Sequence, residues 1–301
     1  MDLSGRVAIV TGAGRGLGRA YAEALATAGA AVVVNDADGD AAREVADKLA
    51  ATGRAAVAEP GAVGAAPVAE ALVHRAVATY GRLDVLVANA GILRDRMLWK
   101  MSDEDFEAVV DVHLRGTFTC ARAVVARLRE QGEGGRIIVV GSPAGQRGNV
   151  GQTNYSAAKA AIVGMARTWS MECARDNITV NAVIPVAATA MTATIPAFEP
   201  HVAAWRDQAT PLPRWLRADG FGTPEDAAGL VVFLASAEAA GVTGQAVGVG
   251  GDKLSLWSHP QEVAVAYHEG GWSADAIVEA WPALAVGTQP VGIRPPREPG
   301  S

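Results

Sequence analysis

The sequence predicts an α/β protein: a doubly wound, seven-stranded parallel sheet over residues 1–252, followed by a C-terminal extension over residues 253–301. Three observations point to it. Short β-branched runs recur along the first 250 residues. The runs are mostly continuous rather than alternating, as in strands buried on both faces. Helical segments separate most of them, and alternating β and α elements build a parallel sheet with helices on its faces.

In order, the predicted strands are "RVAIV" (6–10), "AVVVN" (31–35), "AAVA" (55–58), "DVLVA" (84–88), "RIIVVG" (136–141), "ITVNAVI" (178–184) and "QAVGV" (245–249). A representative helix starts at the N-cap Ser102, with Asp103, Glu104 and Asp105 in its first turn, where carboxylates complement the helix dipole. Its apolar positions Phe106, Val109, Val110, His113 and Leu114 follow helical spacing and form one inward face. Residues 185–224 interrupt the alternation. A connection that long is usually functional or disordered, and Phe198, Trp205, Trp215 and Phe221 favour an ordered lid. In the extension, one helix is expected from an N-cap at Ser273 to about Trp281, and Pro290, Pro295, Pro296 and Pro299 then leave a Pro-rich tail.

Composition narrows the function classes. A formal net charge of −6 and the lack of a basic stripe argue against nucleic-acid binding. Cys120 and Cys173 fall within predicted helices and suggest neither a disulfide framework nor metal-ligand spacing. No run approaches the ~18 apolar residues of a membrane span. The start "MDLSGRVAIVTGAG" shows no signal-peptide pattern and the end "REPGS" no sorting signal. The expectation is a cytoplasmic protein with no metal, no membrane and no nucleic-acid partner.

"TGAGRGLG" (11–18) lies between the first strand and an Ala-rich helix. Gly12, Gly16 and Gly18 permit a tight turn and a close backbone approach to a pyrophosphate, and the helix N-terminus offers free N–H groups. Asp36 follows the second strand, where a carboxylate accepts hydrogen bonds from the adenosine ribose. The combination predicts a dinucleotide site on a Rossmann fold. Asp36 would repel the 2′-phosphate of NADP, whereas Arg15 inside the loop would attract it or be a solvated charge. Asp36 meets the ribose directly, so NAD is expected over NADP.

Tyr155 and Lys159 are i, i+4 on a predicted helix and share a face. A tyrosine near pKa 10 is a poor base at neutral pH, and a nearby cation stabilises its phenolate. An ammonium also donates to ribose hydroxyls. The chain has four lysines against 22 arginines, and one of the four stands here. A compact point charge suits this place better than a planar guanidinium. Ser142 ends the fifth strand, at the sheet edge where ligands bind, and its hydroxyl could bond a substrate oxygen beside the tyrosine. Taken singly, the three residues also fit a satisfied core tyrosine, a solvated lysine and a turn serine before Pro143.

"TGAGRGLG", "NAG" (89–91), Ser142 and "YSAAK" (155–159), in this order and spacing, resemble the short-chain dehydrogenase/reductase family over about residues 5–252. "TPEDAAGLVVFLAS" (223–236) and "VTGQAVGVGGD" (242–252) resemble that family's last helix and strand. The resemblance implies Tyr155 as acid/base, Lys159 as the group that lowers its pKa and holds the nicotinamide ribose, and Ser142 as the group that orients the substrate oxygen. It implies a cofactor site of Gly12, Arg15, Gly16, Leu17, Gly18, Asp36, Asn89, Ala90, Gly91, Tyr155, Lys159, Ile184 and Thr189, and a dimer or tetramer. The reaction it implies is hydride transfer between an alcohol carbon and NAD.

Three positions depart from the family pattern. His113 stands where many members carry a relay asparagine, and reads either as a satisfied core histidine or as a member of the relay. The aspartate expected near the adenine is missing from "AEPGAV" (58–63), where Glu59 is the nearest carboxylate. The usual Pro-Gly after the sixth strand is "PV" (185–186), which weakens the place of Thr189.

"VVVNDADG" (32–39), "GILRDRMLWKMSDEDF" (91–106), "DVHLRGTF" (111–118) and "GNVGQTNYSAAK" (148–159) resemble the dehydrogenase part of peroxisomal multifunctional enzyme type 2 and related stand-alone bacterial dehydrogenases. That resemblance implies a hydrophobic secondary alcohol or ketone, first a (3R)-hydroxyacyl-CoA or a steroid-like compound. Ser142, Tyr155, Trp205 and Trp215 are the expected substrate residues, and Arg94 and Arg96 could meet a CoA phosphate or be solvated. The rival readings are a non-catalytic NAD-binding scaffold and a dehydratase or epimerase on the same fold.

Overall fold

A computed structural model of the chain describes residues 1–194 and 198–293. Pro295, Pro296 and Pro299 of the expected tail lie outside the described residues. The elements run β1 (Val7–Val10), α1 (Gly16–Thr27), β2 (Ala31–Val34), α2 (Gly39–Ala51), β3 (Ala56–Ala58), α3 (Ala66–Tyr80), β4 (Val85–Ala88) and α4 (Asp103–Val110). A π-helical turn (Asp111–Arg115) follows, then α5 (Gly116–Gln131), β5 (Gly135–Val140), α6 (Pro143–Arg147), α7 (Thr153–Glu172) and β6 (Ile178–Pro185). The chain continues with α8 (Glu199–Gln208), α9 (Arg214–Ala218), α10 (Pro224–Ala235), β7 (Ala246–Gly250), β8 (Lys253–Trp257) and α11 (Ala274–Ala285).

The strands form one sheet in the order β3-β2-β1-β4-β5-β6-β7-β8. All seven predicted strands are present and pair in parallel. The count of seven is corrected to eight: β8, inside the expected extension, pairs antiparallel with β7. Gly250 pairs with Lys253, so a two-residue turn, Gly251-Asp252, reverses the chain. Gly251 has φ +51, a left-handed conformation natural to glycine in such hairpins.

Each buried strand feeds two cores through its period of two. Ala8 and Val10 pack with Tyr21, Leu25, Val45 and Val231 on the face of α1, α2 and α10. Val7 and Ile9 pack with Leu72, Val124 and Ile162 on the face of α3, α5 and α7. Burying each such Val, Leu or Ile side chain contributes about 1.5–3 kcal/mol. The two cysteines are buried and free.

Helix starts follow local chemistry. Ser102 Oγ accepts from Asp105 N at 3.2 Å, and Asp38 Oδ1 accepts from Asp40 N and Ala41 N at the start of α2. Ser273 caps α11 through Ala276 N at 3.1 Å, but that helix runs to Ala285 instead of ending near Trp281. On α4, Val109 is buried while Phe106 stays 39% exposed, so the inward face is narrower than its spacing predicts. The expected lid contains α8 and α9 and has its own core of Ala188, Val202, Leu212, Leu216 and Phe221. Among the described residues, no helix is long and apolar enough to cross a membrane, and no group of three or more potential ligands is placed to hold a metal ion.

Candidate active site

In the strand order, β1 stands between β2 and β4, so the chain path reverses direction across the sheet there. At such a switch point the loops leaving the strand ends diverge and open a crevice. A cavity of about 1080 Å³ runs from this crevice to the lid. That is just above the ~300–1,000 Å³ of common small-molecule sites.

One end of the cavity is lined by Gly12, Arg15, Gly16, Leu17, Gly18, Asp36, Asn89, Ala90 and Gly91. The chain fits a dinucleotide there by its own geometry. A Cβ on Gly12 would lie 2.7 Å from Ala90 Cα, and one on Gly18 would lie 2.1 Å from Gly12 O. These glycines are therefore required by backbone packing. Gly16 has φ +54 and faces only Thr189 Cγ2, at 3.7 Å. It begins α1, whose N-terminus carries neither a side-chain cap nor an acidic first turn, so N–H groups remain available to an anion. Asn89 Nδ2 donates to Thr11 O (3.0 Å) and Gly12 O (3.1 Å) and holds this loop against β4.

Asp36 organises the same end. Its Oδ2 accepts from Gly14 N (2.9 Å) and its Oδ1 from Asp38 N (3.0 Å). A carboxylate oxygen has further lone pairs, so both retain capacity for a ribose hydroxyl. Glu59 does not line the cavity and pairs with Arg75 at 2.6 Å. Gly61, Ala62 and Val63 form that wall instead, and Asn35 Nδ2 secures it through Glu59 O and Gly61 O.

Ser142, Tyr155, Lys159, Ile184 and Thr189 line the same cavity. Ser142 is the N-cap of α6, its Oγ accepting from Ala144 N at 3.2 Å. A Cβ on Gly145 would lie 2.5 Å from the Lys159 carbonyl carbon, so α6 rests directly on the turn of α7 that carries Tyr155 and Lys159. Asn154 seats that turn: its Nδ2 donates to Arg94 O and Asp105 O, and its Oδ1 accepts from Tyr155 N at 2.8 Å.

Burial pushes the Tyr155 hydroxyl above its ordinary pKa, a hydrogen bond from Ser142 pulls it partly back, and the Asp95 charge raises it. Lys159 is buried, and desolvation pushes it down to about 7. Its Nζ donates to Val140 O at 2.6 Å and stands 5.7 Å from the Tyr155 ring centroid. The ammonium is turned to a strand carbonyl, and desolvation is the largest influence on both groups.

His113 is 1% exposed and lies in the π-helical turn. Its ring meets Tyr155 edge-on, with centroids 5.1 Å apart. Nε2 lies 2.8 Å from Ile92 O and 3.0 Å from Ile92 N, while the buried Nδ1 has no partner. Desolvation pushes its pKa down to about 3, so the ring is neutral at pH 7. A Cβ on Gly91 would lie 2.3 Å from His113 Cε1. The glycine of "NAG" thus makes room for the imidazole.

Trp205 and Trp215 do not line the cavity and pack against the lid core. Phe198 and Phe221 line it, stacked with centroids 4.3 Å apart. Arg94 and Arg96 also lie outside the lining. Arg94 donates to its neighbour Leu93 O, and Arg96 lies 3.8 Å from Asp105. Among the lining residues the sequence did not reveal are Asn149, Gln152, Lys253, Ser255, Trp257 and Ile293. Gln152 links Asn149 (2.9 Å) to Asp95 (2.8 Å). The alternation in "KLSLW" after "GGD" is the pattern of a half-buried strand, which a search for continuous apolar runs passes over; Ile293 carries no such pattern.

The family model for short chain dehydrogenase matches residues 6–200. A 3-oxoacyl-[acyl-carrier-protein] reductase of Synechocystis is 43% identical over 83% of this chain and 97% of that protein. The hydroxyacyl-CoA dehydrogenase ChsB1 of Mycobacterium tuberculosis is 43% identical over 86% and 81%, respectively. The peroxisomal multifunctional enzyme type 2 of Drosophila melanogaster is 46% identical over 62% of this chain and 32% of that protein. A crystal structure of a short chain dehydrogenase from Mycobacterium avium superposes with TM-score 0.83 at 37% identity, covering 97% of this chain and 99% of that one.

Proposed function

The chain belongs to the short-chain dehydrogenase family of oxidoreductases, and we propose that it interconverts a hydrophobic secondary alcohol and its ketone with NAD as the hydride carrier. The observation that carries this reading is the convergence of Ser142, Tyr155 and Lys159 with the glycine loop in one cavity. A bound nicotinamide dinucleotide supplies the carbon that accepts or gives the hydride. Tyr155 supplies the proton. As a phenol, the form its burial favours, it donates to the ketone oxygen on reduction; as a phenolate, the form the nearby Lys159 ammonium favours, it takes the alcohol proton on oxidation. Ser142 orients that oxygen, and Lys159 holds the ribose. His113, neutral and packed edge-on against Tyr155, positions the phenol.

The choice of NAD rests on Asp36, whose two oxygens sit at the ribose end of the site. A phosphate placed beside them would meet like charge. The substrate class rests on the apolar lid pair Phe198 and Phe221 and on relatives named for 3-oxoacyl and hydroxyacyl thioesters. A (3R)-hydroxyacyl-CoA is the first candidate and a steroid-like alcohol the second. A dimer or tetramer acting in the cytoplasm completes the proposal.

The test is a panel of acyl-CoA, steroid and terpenoid alcohols, followed by NADH or NADPH absorbance. Turnover with NAD favoured over NADP is expected, and Tyr155→Phe should lower kcat by about 10²–10⁴-fold while leaving the dissociation constant of NAD little changed. Full NADH production by Tyr155→Phe would sink the mechanism. NAD binding without turnover of any alcohol would favour a scaffold, and product without net NADH would favour a dehydratase or epimerase.

A further inference from the structure

We propose that residues 287–293 of the extension form a strap that closes the substrate end of the chain's own cavity, and that Ile293 limits the length of substrate that fits. The word "substrate" here rests on the dehydrogenase reading above.

The extension is fixed at intervals along its path. β8 is paired to β7, and His259 Nε2 lies 3.1 Å from Gly244 O. The end of α11 is seated on residues 263–264: a Cβ on Gly287 would lie 3.0 Å from Val263 Cγ2 and 3.3 Å from Ala264 Cβ. Thr288 N and Oγ1 both bond Ala285 O and close that helix. Only Gln289, Pro290 and Val291 then separate this anchored point from Gly292, whose N–H donates to Arg147 O at 2.7 Å.

The anchoring carbonyl is placed for the purpose. Arg147 is the last residue of α6, and α6 is the helix that Ser142 caps. A terminal helix carbonyl has no partner within its own helix, and the strap supplies one. The segment from Arg147 to Gln152 leads directly to Tyr155 and itself contributes Asn149 and Gln152 to the wall. The strap therefore closes on the side of the two catalytic hydroxyls, away from the glycine loop.

Gly292 has φ +88, which lets the two residues beside it take different directions. Val291 is 88% exposed, whereas Ile293 is 39% exposed and lines the cavity. Within this strap one apolar residue faces water and the other meets the site. Among the described residues, one backbone hydrogen bond and one side chain hold the strap at 292–293, a light hold that lets it release and reclose during turnover. A substrate that extends past the reacting carbon in this direction must displace Ile293 or stop short of it.

The experiment compares full-length wild type with Ile293→Gly and Ile293→Trp on a homologous series of ketones or 3-oxoacyl thioesters. The ratio of KM for the longest to the shortest member should fall about 10-fold in Ile293→Gly, the low end of what one methylene in a pocket decides. The ratio should rise in Ile293→Trp, with the dissociation constant of NAD unchanged in both. A ratio that stays fixed, or moves the same way in both variants, overturns the proposal. A second readout needs no turnover. Cys120 and Cys173 are buried, so Ile293→Cys and Val291→Cys each add one reactive thiol. Slower labelling at 293 than at 291 supports the strap, and equal rates overturn it. Failure of wild type to turn over any member would count against the dehydrogenase reading, while the labelling comparison would still decide the strap.

Discussion

Lys159 is 3% exposed, with its ammonium 2.6 Å from the Val140 carbonyl. A guanidinium is wider and planar and cannot fill that narrow slot. Lys159→Arg is expected to lose both turnover and NAD affinity, measured by steady-state kinetics and calorimetry; an unimpaired variant would remove lysine's special place here. His113 gives a second prediction. In the folded protein burial pushes it down to about 3, from the ordinary value of 6.5. Between those values the unfolded chain binds a proton that the native chain does not. Native stability from this group is therefore intact above pH 6.5 and is lost as pH falls toward 3. Across that window wild type should lose about 1.4 kcal/mol per pH unit more than His113→Asn, measured by urea unfolding at several pH values. Parallel curves would show that the ring titrates normally. The sequence placed Tyr155, Lys159 and His113 correctly on shared faces, because i, i+4 spacing is a local property. It could not give their proton affinities, since desolvation is set by the whole surrounding core.

Glycines separate two roles that look alike in the sequence. A Cβ on Gly18 would meet Gly12 O at 2.1 Å and Asn89 Nδ2 at 2.5 Å. Gly18→Ala should force the loop open, weaken NAD binding at least about 10-fold and cost roughly 1–3 kcal/mol of stability. Gly229, exposed on α10, has nothing within 4 Å of an added Cβ. Gly229→Ala should instead raise stability by about 0.5–1 kcal/mol, the helix-interior preference for alanine. Thermal melting of both variants checks the opposite signs. The seven parallel strands were legible because strands buried on both faces read as apolar runs. β8 was not, although "KLSLW" alternates after a Gly-Asp turn: the same search for apolar runs passes over an edge strand. The π-helical turn at Asp111–Arg115 had no signal in side-chain periodicity, and it displaces part of the face that the helical spacing of α4 predicted. Trp205 and Trp215 were misplaced for a related reason. Aromatic content marks an ordered lid, but only the packing of α8 and α9 decides which rings turn to the cavity and which to the lid core.

At the scale of the whole molecule, the boundary at residue 252 falls inside a structural unit. β8 covers the open edge of β7, and Trp257 packs against the core beneath β7 and α7. Lys253, Ser255 and Trp257 also line the cavity. Sheet closure and site construction thus share one five-residue strand, three of whose side chains meet the cavity. A chain ending after Asp252 would bare the unpaired N–H and C=O groups of β7, a template for edge-to-edge association. It would also lose the burial of Trp257, worth roughly 2 kcal/mol. A chain ending after Ser258 keeps both contributions and loses the strap. The shorter chain is expected to melt lower and scatter light on heating. The longer one should keep a melting temperature near that of the full protein, with its substrate cavity more open. Scanning calorimetry with light scattering separates the cases. Equal behaviour of the two truncations would show that β8 is dispensable to the sheet, and would return the fold to the seven strands legible in the sequence.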